Sequence, residues 1–239
     1  MALPVGARGA TPLWLRGIVL NKILWLPMST SFNAKKALIW RIVHRDNLPW
    51  LLQNGLHCSN SKVLAPEYTT IGNPELIEKR RHRVVPIGPK GTLADYVPFY
   101  FTPFSVMMYN IHTGRGVERR HNKEIIILVS SLYRINELGI AFVYTSAHAY
   151  LSWTEYFDDL DDLDVIDWGL LQRRDFRRDD NDPQKLERYQ AEALIHRHMP
   201  VDGLLGIICY TDEVKESINV TIGNLGLELP VYVRTRWYF

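Results

Sequence analysis

Residues 188–200 read RYQAEALIHRHMP, and the rest of the chain is best read outward from them. Glu192 stands where a long polar loop, residues 172–188, gives way to a short apolar strand edge, residues 192–196. On spacing alone it is one acid among 26 acidic residues, and most glutamates beside a strand are plain surface groups. Upstream, strands are predicted over residues 39–44, 97–101, 124–130 and 139–145. Further strands follow over 207–210 and, in alternation, over 230–238. Helices are predicted from Asp46, a candidate cap, through Pro49 to a stop at Gly55. Others cover 74–82, 103–112, 132–138 and 212–220. Helices and strands mix without a regular βαβ rhythm, which argues α+β rather than a doubly wound parallel sheet. Neither GxGxxG nor GxxxxGK[ST] occurs, so the common nucleotide cradles are absent.

The chain has 239 residues and a formal charge of +2. That suits one domain, perhaps with a terminal extension, and any basic footprint for nucleic acid has to be local. Cys58 and Cys209 are too few for a disulfide framework and fit a reducing, cytoplasmic setting. No CxxC is present. His196 and His198, predicted on one face of a strand, lack companions for a metal site, so no metal is expected. Residues 1–27 are apolar but broken by Arg16 and Lys22. They are too short and charged to span a bilayer, and they lack a signal-peptide cleavage site, so no stable membrane association is expected. Met28 opens a polar segment that reads like a natural start. Residues 1–37 are therefore set apart as an extension, either an upstream start or an added helix, and residues 38–239 as the domain.

Six segments, in order, carry a resemblance. They are VHRDNLPWLLQNGL (43–56), IGNPELIEKRR (71–81), DYVPFYFTPFSVMMYNI (95–111), VYTSAHA (143–149), YFDDLDDLDVIDW (156–168) and RYQAEALIHRHMP (188–200). Together they resemble the DarT family, toxins that ADP-ribosylate thymidine in single-stranded DNA. The VPFYF–P–S–M–Y string followed by QAEALIH is the specific part. The resemblance implies an ADP-ribosyltransferase-like split β-sandwich, two small sheets forming an NAD⁺ cleft with helices around it. It implies NAD⁺ as co-substrate, single-stranded DNA as acceptor and a DarG-like macrodomain antitoxin as partner.

It also assigns residues. Glu192 matches the catalytic glutamate, with residues 169–191 as the substrate-recognising loop before it. Breaking the nicotinamide–ribose bond creates an oxocarbenium-like centre, which a carboxylate stabilises. Thymine N3 needs a base to remove its proton, a second task for a carboxylate. Arg80 matches the family's essential arginine, with Arg81 the near alternative; a guanidinium there clasps a pyrophosphate or orients the base. His44 matches a cofactor-contacting histidine. Asn47 either bonds the ribose or caps a helix. Tyr100, in an aromatic run that is largely core, is a candidate wall of the nicotinamide pocket. Arg173, Arg174, Arg177 and Tyr189 on the loop are candidate DNA contacts, since basic charge beside aromatic faces suits an unpaired strand. The loop's aspartates offset much of that charge, and a salt-bridged solvated loop is the competing reading. Two departures stand out: Phe104 where relatives carry Arg, and Ser146 where they tend to carry Asp. The runner-up functions are transfer to another base, RNA or protein, and a non-enzymatic single-strand binder.

Overall fold

The computed structural model describes residues 32–239. The reading of residues 1–27 therefore lies outside the described residues. Residues 32–37, set apart with the extension, pack into the domain: Phe32 is buried and meets Trp40 edge-on at 5.2 Å.

Ten strands are present among the described residues. They are β1 (Leu38–His44), β2 (Leu56–His57), β3 (Tyr96–Tyr100), β4 (Ile125–Ser131), β5 (Phe142–Thr145), β6 (Tyr156–Phe157), β7 (Glu192–His196), β8 (His198–Met199), β9 (Gly206–Cys209) and β10 (Val231–Val233). The helices are α1 (Leu48–Asn54), α2 (Pro74–Arg80), α3 (Val106–Thr113), α4 (Leu132–Glu137), α5 (Trp168–Arg173), α6 (Lys185–Arg188) and α7 (Asp212–Asn224). Eight strands form one sheet in the order β10-β9-β4-β1-β3-β7-β5-β6, and β2 pairs with β8 apart from it. The fold is α+β, as its irregular order of elements implies.

The sheet is two four-stranded halves joined at a seam. β1 pairs with β4 at seven positions, and β3 pairs with β7 at five. Across the seam, β1 and β3 share a single pair, Trp40 with Tyr100. Beyond it the ladder parts. Pro98 of β3 has no N–H to donate. Its carbonyl instead accepts a hydrogen bond from the Arg41 guanidinium at 2.7 Å. The expected two-sheet cleft is thus a splayed seam within one sheet, and it opens where the backbone stops pairing.

The hydrophobic pattern explains which strands lie deepest. β4, IIILVSS, is buried at every position, the signature of a strand covered on both faces. β7 is an interior strand between β3 and β5 rather than an edge. At Arg197 the backbone turns left-handed (φ 58°) and ends β7. His196 therefore pairs with Tyr96 in the large sheet, while His198 pairs with His57 in the small one. The expected shared face for the two histidines is not formed. Gly55, which ends α1 at φ 75°, also faces the small sheet: a Cβ there would lie 2.6 Å from the Met199 carbonyl oxygen. Loop 172–188 is less open than expected, since α5 and α6 fold its two ends.

Candidate active site

Where the seam parts, a cavity of about 450 Å³ opens. Arg41, Ile42 and Val43 wall it from β1, and Tyr96, Pro98 and Tyr100 from β3. Residues 56–73 close another side, and Arg80, His148 and Glu192 stand at its wall.

Glu192 is the first residue of β7 and is only 3% exposed. Burying a carboxylate costs several kcal/mol unless charge and hydrogen bonds compensate. Both compensations are present. Arg80 Nη1 lies 2.9 Å from Oε2 and 3.2 Å from Oε1. The Ala149 N–H donates to Oε1 at 3.1 Å. The Glu192 backbone is pinned as well, its N–H donating to Thr145 Oγ1 at 3.1 Å while that hydroxyl donates to the Ala147 carbonyl at 2.6 Å. The carboxylate's position is therefore set by β3, β5 and α2 together.

Arg80 ends α2, a helix capped by the Asn73 side chain and begun by Pro74. Its Nη2 is buried and has no hydrogen-bond partner among the described residues. An unsatisfied guanidinium N–H at the wall of a cavity is suited to an acceptor atom of a bound substrate. Arg81, one residue on, faces solvent and pairs with Glu78 at 3.4 Å. The structure thus separates the two arginines that the sequence left as alternatives.

Tyr100 stands directly opposite Glu192 in the β3–β7 ladder, and its hydroxyl lies 3.6 Å from Met107 Sδ. Burial, then the Glu192 charge, pushes its phenol well above the usual range, so it acts as a neutral wall. His148 Nδ1 lies 3.9 Å from Glu192 Oε1 and accepts the Tyr150 N–H at 3.2 Å. Burial holds its imidazole below the usual 6.5, against a smaller pull upward from Glu192.

His44 and Asn47 are placed differently from the expectation. The His44 ring points to Glu124 (3.5 Å) and Asp46 (3.5 Å), and His44 does not line the cavity. Asn47 is buried and clasps the backbone of Thr69, donating to its carbonyl at 2.8 Å and accepting from its N–H at 2.9 Å. It shapes the cavity through the segment it holds, Tyr68 and Thr70 being wall residues.

The loop residues divide too. Tyr189 is 1% exposed, and its hydroxyl donates to the Phe104 carbonyl at 3.1 Å. It is a core residue, so its ring offers no face to a nucleic-acid strand; its aromatic character reflects packing against Phe176. Arg177 is exposed but tied to Asp175 at 2.8 Å. Lys185 and Arg188 likewise pair with Asp175 and Asp182. Arg173 is exposed at the end of α5. Arg174 sits left-handed (φ 55°) with its guanidinium 3.6 Å from the Phe104 ring centre. Phe104, the departure from the family pattern, is a buried partner for that cation.

Comparison with known proteins settles which family built this site. The family model described as "ssDNA thymidine ADP-ribosyltransferase, DarT" matches residues 40–239. The chain belongs to the DarT family. A DNA ADP-ribosyl transferase of Escherichia coli O127:H6 is 57% identical over 212 residues, covering 88% of this chain and 97% of that one. The structure of Thermus sp. 2.9 DarT in complex with ADP-ribosylated ssDNA superposes with a TM-score of 0.80 at 30% identity, covering 86% of this chain and 97% of that one. The same Thermus DarT in complex with NAD⁺ gives 0.76 at 29% identity, covering 86% and 98%. Within this DarT fold, sequence reasoning missed three contributors to the site: Thr145, His148 and Ala149. All lie in the segment VYTSAHA, whose match to the family was visible but whose individual roles depend on a backbone path between β5 and β7. Among the described residues no cluster of three metal-ligating side chains occurs, and no helix is long and apolar enough to cross a membrane.

Proposed function

We propose that this chain transfers ADP-ribose from NAD⁺ to N3 of thymidine in single-stranded DNA, releasing nicotinamide, with Glu192 and Arg80 as its catalytic pair. The observation that carries this reading is the buried Arg80–Glu192 pair at the wall of a cavity large enough for much of a dinucleotide. NAD⁺ supplies the activated glycosidic bond, whose electron pair leaves with nicotinamide. The Glu192 carboxylate faces the positive charge that develops at the ribose carbon. It also accepts the N3 proton as the nitrogen attacks, so one group serves both needs. Arg80 orients that carboxylate and presents its free Nη2 to an acceptor oxygen of either substrate. Tyr100 and His148 flank the reacting centre as neutral walls, and Asn47 positions the segment that closes the cavity.

A single strand is the fitting acceptor because N3 is hidden in a base pair. Arg173 and Arg174 on the loop before Glu192 are offered as strand contacts, whereas Arg177 shares its charge with Asp175. As a DarT relative the chain is read as the toxin of a toxin–antitoxin pair, with a DarG-like macrodomain protein as its antitoxin. Both described cysteines are free and buried, which suits a cytoplasmic setting. The test is to incubate the protein with labelled NAD⁺ and a panel of single- and double-stranded oligonucleotides, then map the modified base by mass. Label on thymidine of single strands is expected. Label on protein or RNA alone would overturn the acceptor, and no transfer at all would overturn the reading.

A further inference from the structure

Residues 146–154, between β5 and β6, carry no acidic side chain and present two exposed aromatics, Tyr150 (36% exposed) and Trp153 (44%). Exposed large aromatics are uncommon among the described residues, where Tyr68 is the other one and the remaining Phe, Tyr and Trp rings are buried or half-buried. The segment is tied down at every step. The Ala149 N–H bonds Glu192, and the Tyr156 hydroxyl donates to the Ala149 carbonyl at 2.6 Å. Thr154 Oγ1 donates to the His148 carbonyl at 2.8 Å, and Arg83 Nη2 donates to the Leu151 carbonyl at 2.7 Å. The two rings are therefore held on a fixed frame that starts one residue from the contact with the catalytic carboxylate.

Cations border the same frame. Lys79, one residue before Arg80 on α2, lies within electrostatic range of Tyr150 but shares its charge with Glu75. Arg83 packs against the frame and has no carboxylate partner among the described residues. Exposed Val84 follows it. Rigid aromatic faces beside positive charge make the arrangement that stacks unpaired bases and tracks their phosphates. The loop of residues 169–191, by contrast, spends Arg177, Lys185 and Arg188 on its own aspartates and buries Tyr189.

We propose that Tyr150 and Trp153 form a stacking platform for the bases flanking the target thymidine, with Arg83 beside an adjoining phosphate. The proposal rests on the DNA-directed reading above and adds a base-stacking surface to the cationic contacts of Arg173 and Arg174. The platform leaves the dinucleotide cavity untouched, since neither ring lines it.

The experiment compares wild type with Y150A/W153A. It measures transfer to a twelve-residue single strand carrying one central thymidine, transfer to a thymidine dinucleotide, and KM for NAD⁺. Loss of two stacked bases is expected to raise KM for the long strand about tenfold or more. KM for NAD⁺ and transfer to the dinucleotide should stay within about twofold of wild type. The Y150F/W153F variant keeps the ring faces and should restore the long-strand KM. The single W153A variant gives the same readout with less disturbance of the frame. An unchanged KM for the long strand in a variant that still transfers would overturn the platform while leaving the function intact. A raised KM for NAD⁺ would instead assign the rings to the dinucleotide and equally overturn it. Wild type that labels no strand would sink both readings together.

Discussion

Two segments meet at Glu192. Residues 169–191 lead into it along the chain, and residues 146–154 reach it through space. The first is dense with charge, yet most of that charge is internally matched: Arg177 and Lys185 with Asp175, Arg188 with Asp182 and Asp167. The second carries no formal charge, burial keeping His148 neutral, and it spends its backbone on Glu192, Arg83 and Tyr156. A charged loop that matches Arg177, Lys185 and Arg188 internally keeps fewer cations for a ligand, while a neutral one fastened to Glu192 fixes that carboxylate in place. Composition points to the first segment as the functional one; connectivity points equally to the second.

Variants should separate the two. Arg80→Lys keeps the charge but loses the planar guanidinium, whose Nη1 contacts both Glu192 oxygens and whose Nη2 is left free for substrate. Transfer should fall about a hundredfold, measured as kcat/KM, with the folded state retained. An activity within a few-fold of wild type would mean that a point charge suffices. Thr145→Val is nearly isosteric and removes the hydroxyl that joins Glu192 N–H to the Ala147 carbonyl. It leaves a buried donor unpaired and should cost about 1–3 kcal/mol of stability by denaturant titration, with kcat down roughly tenfold.

The third prediction concerns pH. Burial holds His57, His148 and His196 below the usual 6.5, so the unfolded chain binds protons that the folded one sheds. Stability from this source is full above pH 6.5 and declines as the pH drops below it. Tm should therefore fall between pH 7 and 5.5, and His148→Asn should remove part of that fall. A Tm drop identical in the variant would place the effect on the other two histidines. The smallest effect is expected at Arg177→Glu. This side chain is 86% exposed and already matched by Asp175, so KM for the DNA strand should change by less than about threefold. A tenfold change would return the charged loop to the role of principal DNA contact.

The helices and strands were largely legible in the sequence, because apolar runs such as IIILV and turn residues such as Gly55 act locally. The family's motifs singled out Glu192 and Arg80, and the fold joins them in one buried ion pair. Less visible was the seam, since a single Trp40–Tyr100 pair and a carbonyl capped by Arg41 are properties of two strands 60 residues apart. The surroundings of His44 were hidden for a related reason: Glu124, 80 residues on, faces its ring only because β1 pairs with β4. Tyr189 looked like a stacking face because aromatic composition does not distinguish a ring that is buried from one that is offered. Thr145, His148 and Ala149 needed the fold itself, which brings β5 beside β7.

The central claim is that the buried Glu192 carboxylate carries the transfer, and Glu192→Gln tests it most directly. The amide keeps the volume and can still accept the Ala149 N–H, but it neither offsets positive charge nor takes a proton at neutral pH. Single-turnover transfer from NAD⁺ to a thymidine-containing single strand should drop by about a thousandfold or more. NAD⁺ binding measured by calorimetry should remain within about tenfold. Transfer at a rate close to that of wild type would contradict the account.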